Sequence, residues 1–155
     1  MQGIHKSEEL LFVVGQLDRL EGYYLNYLFE KRGYPLTREQ WTIIKILWDK
    51  NGVAQQDLAN ELLKNKASIT SLIENLEKKG LILRKTNLYD KRSKMVFLTD
   101  EGRRIREEVH TFVQETTNDL TRNVSEIDIQ NTRQVLSKIL DNLVFLKKKS
   151  LEAVH

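Results

Sequence analysis

The chain has 155 residues, 40% hydrophobic and 30% charged, enough for one domain with a core that folds without staples. It has no cysteine, which excludes disulfides, thiolate metal sites and cysteine-based catalysis or redox sensing. The net charge of +3 is unevenly spread: residues 64–106 carry 12 basic and 5 acidic side chains, a net of +7, and each flank carries −2.

Near the N-terminus, Glu8 and Glu9 precede Leu10-Leu11-Phe12-Val13-Val14, a poor secretion signal. No apolar run reaches the roughly 18 residues of a membrane span, so a cytoplasmic protein that does not engage membranes is expected. Residues 8–32 read as a long amphipathic helix, with Leu10, Val13, Val14, Leu17, Leu20, Tyr24 and Leu28 near one face. Six of the twelve aromatic residues fall before position 35: Phe12, Tyr23, Tyr24, Tyr27, Phe29 and Tyr34. Core packing is expected to account for most of them; the other reading is that they line a partner subunit or border a pocket.

Gly33-Tyr34-Pro35 ends this helix. Thr37 and Gln40 form a capping box for a second helix reaching about Lys50, with Trp41, Ile44, Leu47 and Trp48 inward. Asn51-Gly52 reads as a turn, and a short third helix near 55–63 points Leu58, Ala59 and Leu62 inward. The brief linker Leu63-Lys64-Asn65 sets the next helix at a steep angle, with Asn65 as its N-cap. That fourth helix places Ile69, Leu72, Ile73 and Leu76 on one buried face and short polar side chains on the other. Short helix, tight turn and a second helix with compact polar side chains near its start form a helix-turn-helix pattern.

Gly80 closes the fourth helix. Leu81-Ile82-Leu83 and Met95-Val96-Phe97-Leu98 then read as two strands around a basic loop, Asp90-Lys91-Arg92-Ser93-Lys94, which makes a wing. Thr99 caps a fifth helix carrying Ile105, Val109, Phe112, Val113 and Leu120. Ser125 restarts a sixth, with Leu136, Ile139, Leu140, Leu143 and Leu146 as its stripe and Lys147-Lys148-Lys149 near its end.

Catalytic constellations are missing. There is no H-E-x-x-H, no glycine-rich phosphate loop and no G-x-S-x-G. The three histidines, His5, His110 and His155, lie far apart; His110 with Glu107 or His5 reads as surface chemistry rather than as a metal site. No enzyme activity, cofactor or metal is expected.

Nucleic-acid chemistry is where the residues converge. Lys66, the first amides of the fourth helix and the nearby hydroxyls suit phosphates, while Ser68, Thr70, Ser71 and Asn75 can reach base edges in the major groove. Arg92 at the wing tip suits a narrow minor groove, and Arg84, Lys91 and Lys94 complete the basic set. Asp90 is expected to accept hydrogen bonds from Arg92 or the loop amides and so brace the wing.

At these residues the chain resembles the MarR family of bacterial transcription regulators. Leu58-Ala59, Lys66-Ala67-Ser68-Ile69-Thr70 and Leu76-Glu77-Lys78-Lys79-Gly80-Leu81-Ile82 match its helix-turn-helix in order and spacing. Asp90-Lys91-Arg92-Ser93-Lys94 followed by Leu98-Thr99-Asp100-Glu101-Gly102-Arg103 matches its wing. The sequence departs at Leu63-Lys64, where the family commonly has glycine and a small apolar residue, in the turn that aims the recognition helix.

The expected fold is mainly α with a small β-hairpin wing: a single domain with a winged helix-turn-helix lobe over 36–104, and helical dimerisation regions over 1–35 and 105–155. The resemblance implies a homodimer, and the surplus apolar face of the terminal helices points the same way. The resulting expectation is a dimeric repressor on a pseudo-palindromic double-stranded operator. The resemblance also implies a small ligand or anion that weakens DNA binding; Tyr23, Tyr24 and Tyr27 suit the stacking of an aromatic effector and are the candidate pocket, and the sequence equally permits a regulator without a ligand. The competing reading is a helical protein–protein interaction module that does not bind DNA.

Overall fold

The structure, a computed structural model, describes residues 6–50 and 52–152; the expectations at His5, Asn51 and His155 lie outside them. Its elements are α1 (Lys6–Lys31), α2 (Arg38–Asp49), β1 (Val53–Ala54), α3 (Gln55–Glu61), α4 (Lys66–Lys78), β2 (Ile82–Thr86), β3 (Lys94–Leu98), α5 (Asp100–Leu120) and α6 (Glu126–Glu152). The chain forms two compact units, Met1–Val113 and Gln114–His155, which divide within α5.

In the first unit, the Thr37 hydroxyl accepts from the Gln40 amide at 3.2 Å while the Gln40 side chain accepts from the Thr37 amide at 3.2 Å, so both orphan donors at the start of α2 are satisfied. Helix α2 is the centre of this unit. It buries Ile43 as well as the expected Trp41, Ile44 and Leu47, because α1, α4 and β3 all pack on it and one stripe does not cover three neighbours. Trp48 is only half-buried and lies under the Arg106 guanidinium, 4.2 Å from its ring centre. Arg38, at the start of α2, ties this helix to α1 through Asp18 at 2.6 Å and Glu21 at 2.7 Å. Burial pulls its pKa down, but the two carboxylates outweigh that and raise it.

The wing is a three-stranded antiparallel sheet ordered β1-β3-β2 rather than a simple hairpin. The extra strand β1 pairs Val53 with Val96 and Ala54 with Met95. Two residues are too short to leave an alternating pattern in sequence. Gly52 leads into it with φ +93°, and a Cβ there would sit 2.4 Å from the Phe97 ring. After the sheet, the Thr99 hydroxyl donates to the Gly80 carbonyl at 2.6 Å and accepts from the Gly102 amide at 3.0 Å. A Cβ on Gly102 would lie 2.0 Å from the Leu81 carbonyl oxygen, so the start of α5 approaches the chain before β2 as only glycine allows.

The aromatic residues of the N-terminal segment correct the core-packing expectation. Phe29 is fully buried and Tyr34 half-buried, both against Phe112, but Phe12, Tyr23, Tyr24 and Tyr27 are exposed. Only the C-terminal half of α1 meets the core, through Gly22, Leu25 and Phe29; the rest runs beyond it.

In the second unit, the Ser125 hydroxyl accepts from the Asp128 amide at 3.2 Å and caps α6. Leu136 and Ile139 are half-buried, whereas Ile127, Leu140, Leu143, Phe145 and Leu146 are exposed.

Candidate nucleic-acid interface

The turn before α4 is a capping motif built on an unusual residue. At the end of α3 the Lys64 amide donates to the Ala59 carbonyl at 2.9 Å and the Leu63 amide to Asn60 at 3.2 Å. This is the Schellman pattern, which also ends α1 (Tyr34 to Phe29, Gly33 to Glu30) and α4 (Leu81 to Leu76, Gly80 to Glu77). Gly33 and Gly80 fill the left-handed position in those two, at φ +75° and +72°; here Leu63 fills it, at φ +52°. The missing glycine therefore changes the energy of the turn, by about 1 kcal/mol, and not its hydrogen bonding. Lys64 pairs with Glu39 and fastens the turn to α2.

The Asn65 side chain accepts from the Ser68 amide at 2.8 Å and starts α4. Ile69, Ile73 and Leu76 are buried, and Lys66, Ser68, Ser71 and Asn75 are exposed on the other side. Thr70 is half-buried, and its hydroxyl accepts from the Gln55 side chain at 2.8 Å, so α3 holds part of the expected base-reading set. Asn75 donates back to the Ser71 carbonyl at 2.9 Å, leaving its own carbonyl oxygen to accept. Gln55 and Gln56, which sequence reasoning did not single out, join Lys66, Asp90, Arg92 and Lys94 around a cleft between the α3–α4 corner and the wing. No local pattern marks them; only the fold brings the start of α3 beside the wing.

At the wing tip the Asp90 carboxylate accepts from the Arg92 backbone amide at 3.0 Å, and the Asp90 carbonyl accepts from the Ser93 amide at 2.9 Å. Arg92 and Lys91 are exposed, and their side chains, like that of Lys66, make no hydrogen bond or ion pair among the described residues. Lys94 donates to the Thr86 hydroxyl at 2.8 Å across the hairpin.

Arg84, expected in the DNA-facing set, is engaged within the fold. Its Nη2, Nε and backbone amide all donate to the Glu77 carboxylate, at 2.6, 3.0 and 3.2 Å, tying β2 to the last turn of α4. The hydrogen bonds from Arg84 hold the Glu77 carboxyl below its ordinary pKa, and the same pairing raises that of Arg84. A carboxylate seven residues earlier claims this guanidinium, while Asp90 meets only backbone and leaves Arg92 free. Lys79 is a separate case: burial pushes its pKa down, and it donates to the neutral Gln40 amide oxygen at 2.8 Å.

The tyrosines do not act as one group. Tyr24 and Tyr27 stack with ring centres 6.5 Å apart and the Lys31 ammonium 5.6 Å from the Tyr27 ring, while Tyr23 borders a shallow hollow with Gln16, Arg19 and Leu20. Among the described residues no three His, Cys, Asp or Glu side chains gather where they would hold a metal ion, and no helix is long and apolar enough to cross a membrane.

Comparison with known proteins places this geometry. Residues 36–94 match the model of the MarR family. The chain is 27% identical over 144 residues to the HTH-type transcriptional regulator MgrA of Staphylococcus aureus, covering 92% of this chain and 95% of that protein. Its fold is similar to that of the transcriptional regulator BldR from Sulfolobus solfataricus, with a TM-score of 0.81 at 24% identity, over 92% of this chain and 99% of that one. It is also similar to a mutant MarR from E. coli solved in complex with operator DNA, with a TM-score of 0.77 at 23% identity, over 87% and 96% of the two chains.

Proposed function

We propose that this chain, a member of the MarR family of transcriptional regulators through its residues 36–94, is a dimeric repressor that reads a pseudo-palindromic operator in double-stranded DNA. One observation carries this reading. Among the described residues the side chains of Lys66, Lys91 and Arg92 are exposed and unpaired, while Arg84 of the same basic segment is held by Glu77. In this reading residues 36–104 form the DNA-binding lobe. Lys66 and the α4 amides hold phosphate, Ser68, Ser71 and Asn75 address the major groove with Thr70 at its edge, and Lys91, Arg92 and Lys94 follow the backbone into the minor groove. Arg84 and Asp90 keep the wing in place. The similarity to a MarR bound to its operator supports the assignment.

Residues 1–35 and 105–155 form the dimer in this reading, because Phe12, Leu17, Leu143 and Phe145 otherwise stay in water. A twofold pair places two α4 helices about 34 Å apart, one turn of duplex. The Tyr24–Tyr27 stack beside Lys31 suits a small aromatic anion as effector, by ring stacking and charge. Selection of bound duplexes from a random pool tests the reading. The expected result is a two-part inverted repeat whose half-site centres lie about ten base pairs apart. Failure to retain any duplex at low salt would overturn it.

A further inference from the structure

The wing tip carries two large apolar side chains that the assignments above leave without a role. Leu88 is 91% exposed and Tyr89 is 99% exposed, more than any other large hydrophobic side chain among the described residues. They are adjacent and do not sit on a slack loop. The Asn87 amide donates to the Ser93 carbonyl at 3.0 Å and the Tyr89 amide to the Asn87 side chain at 2.9 Å. With the two bonds to Asp90, these fix the backbone on both sides of the pair.

Single exposed apolar residues are ordinary on any surface. Here the surroundings narrow the choice. Residues 85–94 hold Lys85, Lys91, Arg92 and Lys94 against one carboxylate, Asp90, which accepts from a loop amide. An apolar pair bordered by cations on a projecting hairpin fits a narrow apolar floor with anions along both rims. The minor groove of B-DNA, about 6 Å wide, is such a surface, with deoxyribose walls between two rows of phosphate. A second wing of this chain would bring like charges together.

We propose that Leu88 and Tyr89 pack against the deoxyribose walls of the minor groove beside Arg92, adding affinity that does not depend on salt. This rests on the DNA-binding reading above and extends it to two further residues. The test uses the full chain and a duplex recovered from the random-pool selection, comparing wild type with the Leu88→Ser/Tyr89→Ser double variant. The expected result is a loss of about tenfold in affinity with an unchanged slope of log K against log salt, since no cation is removed. Hydroxyl-radical protection weakens at the sugars beside the wing tip, where Arg92 still enters the groove, while protection of guanine N7 in the major groove persists. Leu88→Ile/Tyr89→Phe retains both affinity and footprint. Equal affinity and footprint in wild type and the serine variant would overturn the proposal. So would a serine variant whose dimer dissociates in sedimentation, which would make the pair a self-association contact. If no duplex is recovered for wild type, the DNA-binding reading has failed, and this proposal falls with it.

Discussion

The winged lobe and the terminal helices handle their apolar side chains in opposite ways. In the lobe Ile43, Ile44, Leu47, Leu58, Ile73, Leu76 and Val96 are fully buried. Along the N-terminal half of α1 and most of α6, leucines, valines and phenylalanines face water in the single chain. Burying one such side chain contributes about 1.5–3 kcal/mol, so the lobe is written to fold on itself and the terminal helices for something that covers them. At α4 and the wing, the lobe instead leaves the cations Lys66, Lys91 and Arg92 exposed and without a partner among the described residues.

The largest expected effect breaks that contrast at the helices. Leu143→Asp with Phe145→Asp should weaken self-association by about a hundredfold or more, as charges at the centre of an apolar contact do. Sedimentation equilibrium reads it, and an unchanged assembly would mean that α6 faces no partner. Next comes the lobe's own packing. Gly102→Ala drives a methyl group toward the Leu81 carbonyl and should cost about 2–3 kcal/mol in denaturant unfolding. A neutral result would show that the junction of α5 and the sheet yields easily.

Smaller effects sharpen the division between free and engaged cations. Lys66→Ala and Arg92→Ala should each lower the salt slope of duplex binding by about one, while Arg84→Ala leaves that slope unchanged because its guanidinium is held by Glu77. Equal slopes in all three variants would dissolve the distinction. Glu77→Gln should cost no more than about 1 kcal/mol at neutral pH, since the pair is partly solvated. The folded carboxyl lies below its ordinary value, so this stability is fully present above about pH 4.3 and is lost as pH falls through the depressed value. Acid titrations of wild type and variant should therefore converge at low pH. Smallest is Leu63→Gly, which relieves the left-handed leucine but loosens the unfolded chain, for a net gain of at most about 1 kcal/mol. Thermal unfolding decides its sign.

Much of the lobe was legible from its residues. The Thr37–Gln40 box, the Asn65 cap, the Gly33 and Gly80 stops and the buried face of α4 all act within one or two turns of chain, so periodicity and capping chemistry report them directly. Strand β1 escaped because two residues carry no period, and the burial of Ile43 because the sequence does not show how many neighbours α2 has. Gln55 entered the site unannounced, since its partner Thr70 lies fifteen positions away.

Residue spacing and composition were enough to order the six helices and the two wing strands β2 and β3, to place the basic excess in 64–106 and to show the surplus apolar face of the terminal helices. These follow from local spacing and composition, which survive any packing. Which of the wing's cations have a partner among the described residues follows from the folded packing. Arg84 and Arg92 look alike in the chain, but folding sets the Glu77 carboxylate against Arg84 and turns Asp90 toward a loop amide. It also decided that the aromatic residues of α1 part company, Phe29 meeting Phe112 while Phe12 stays exposed. The partner of a charge or a ring depends on what folding brings within a few ångströms, and residue spacing does not record that.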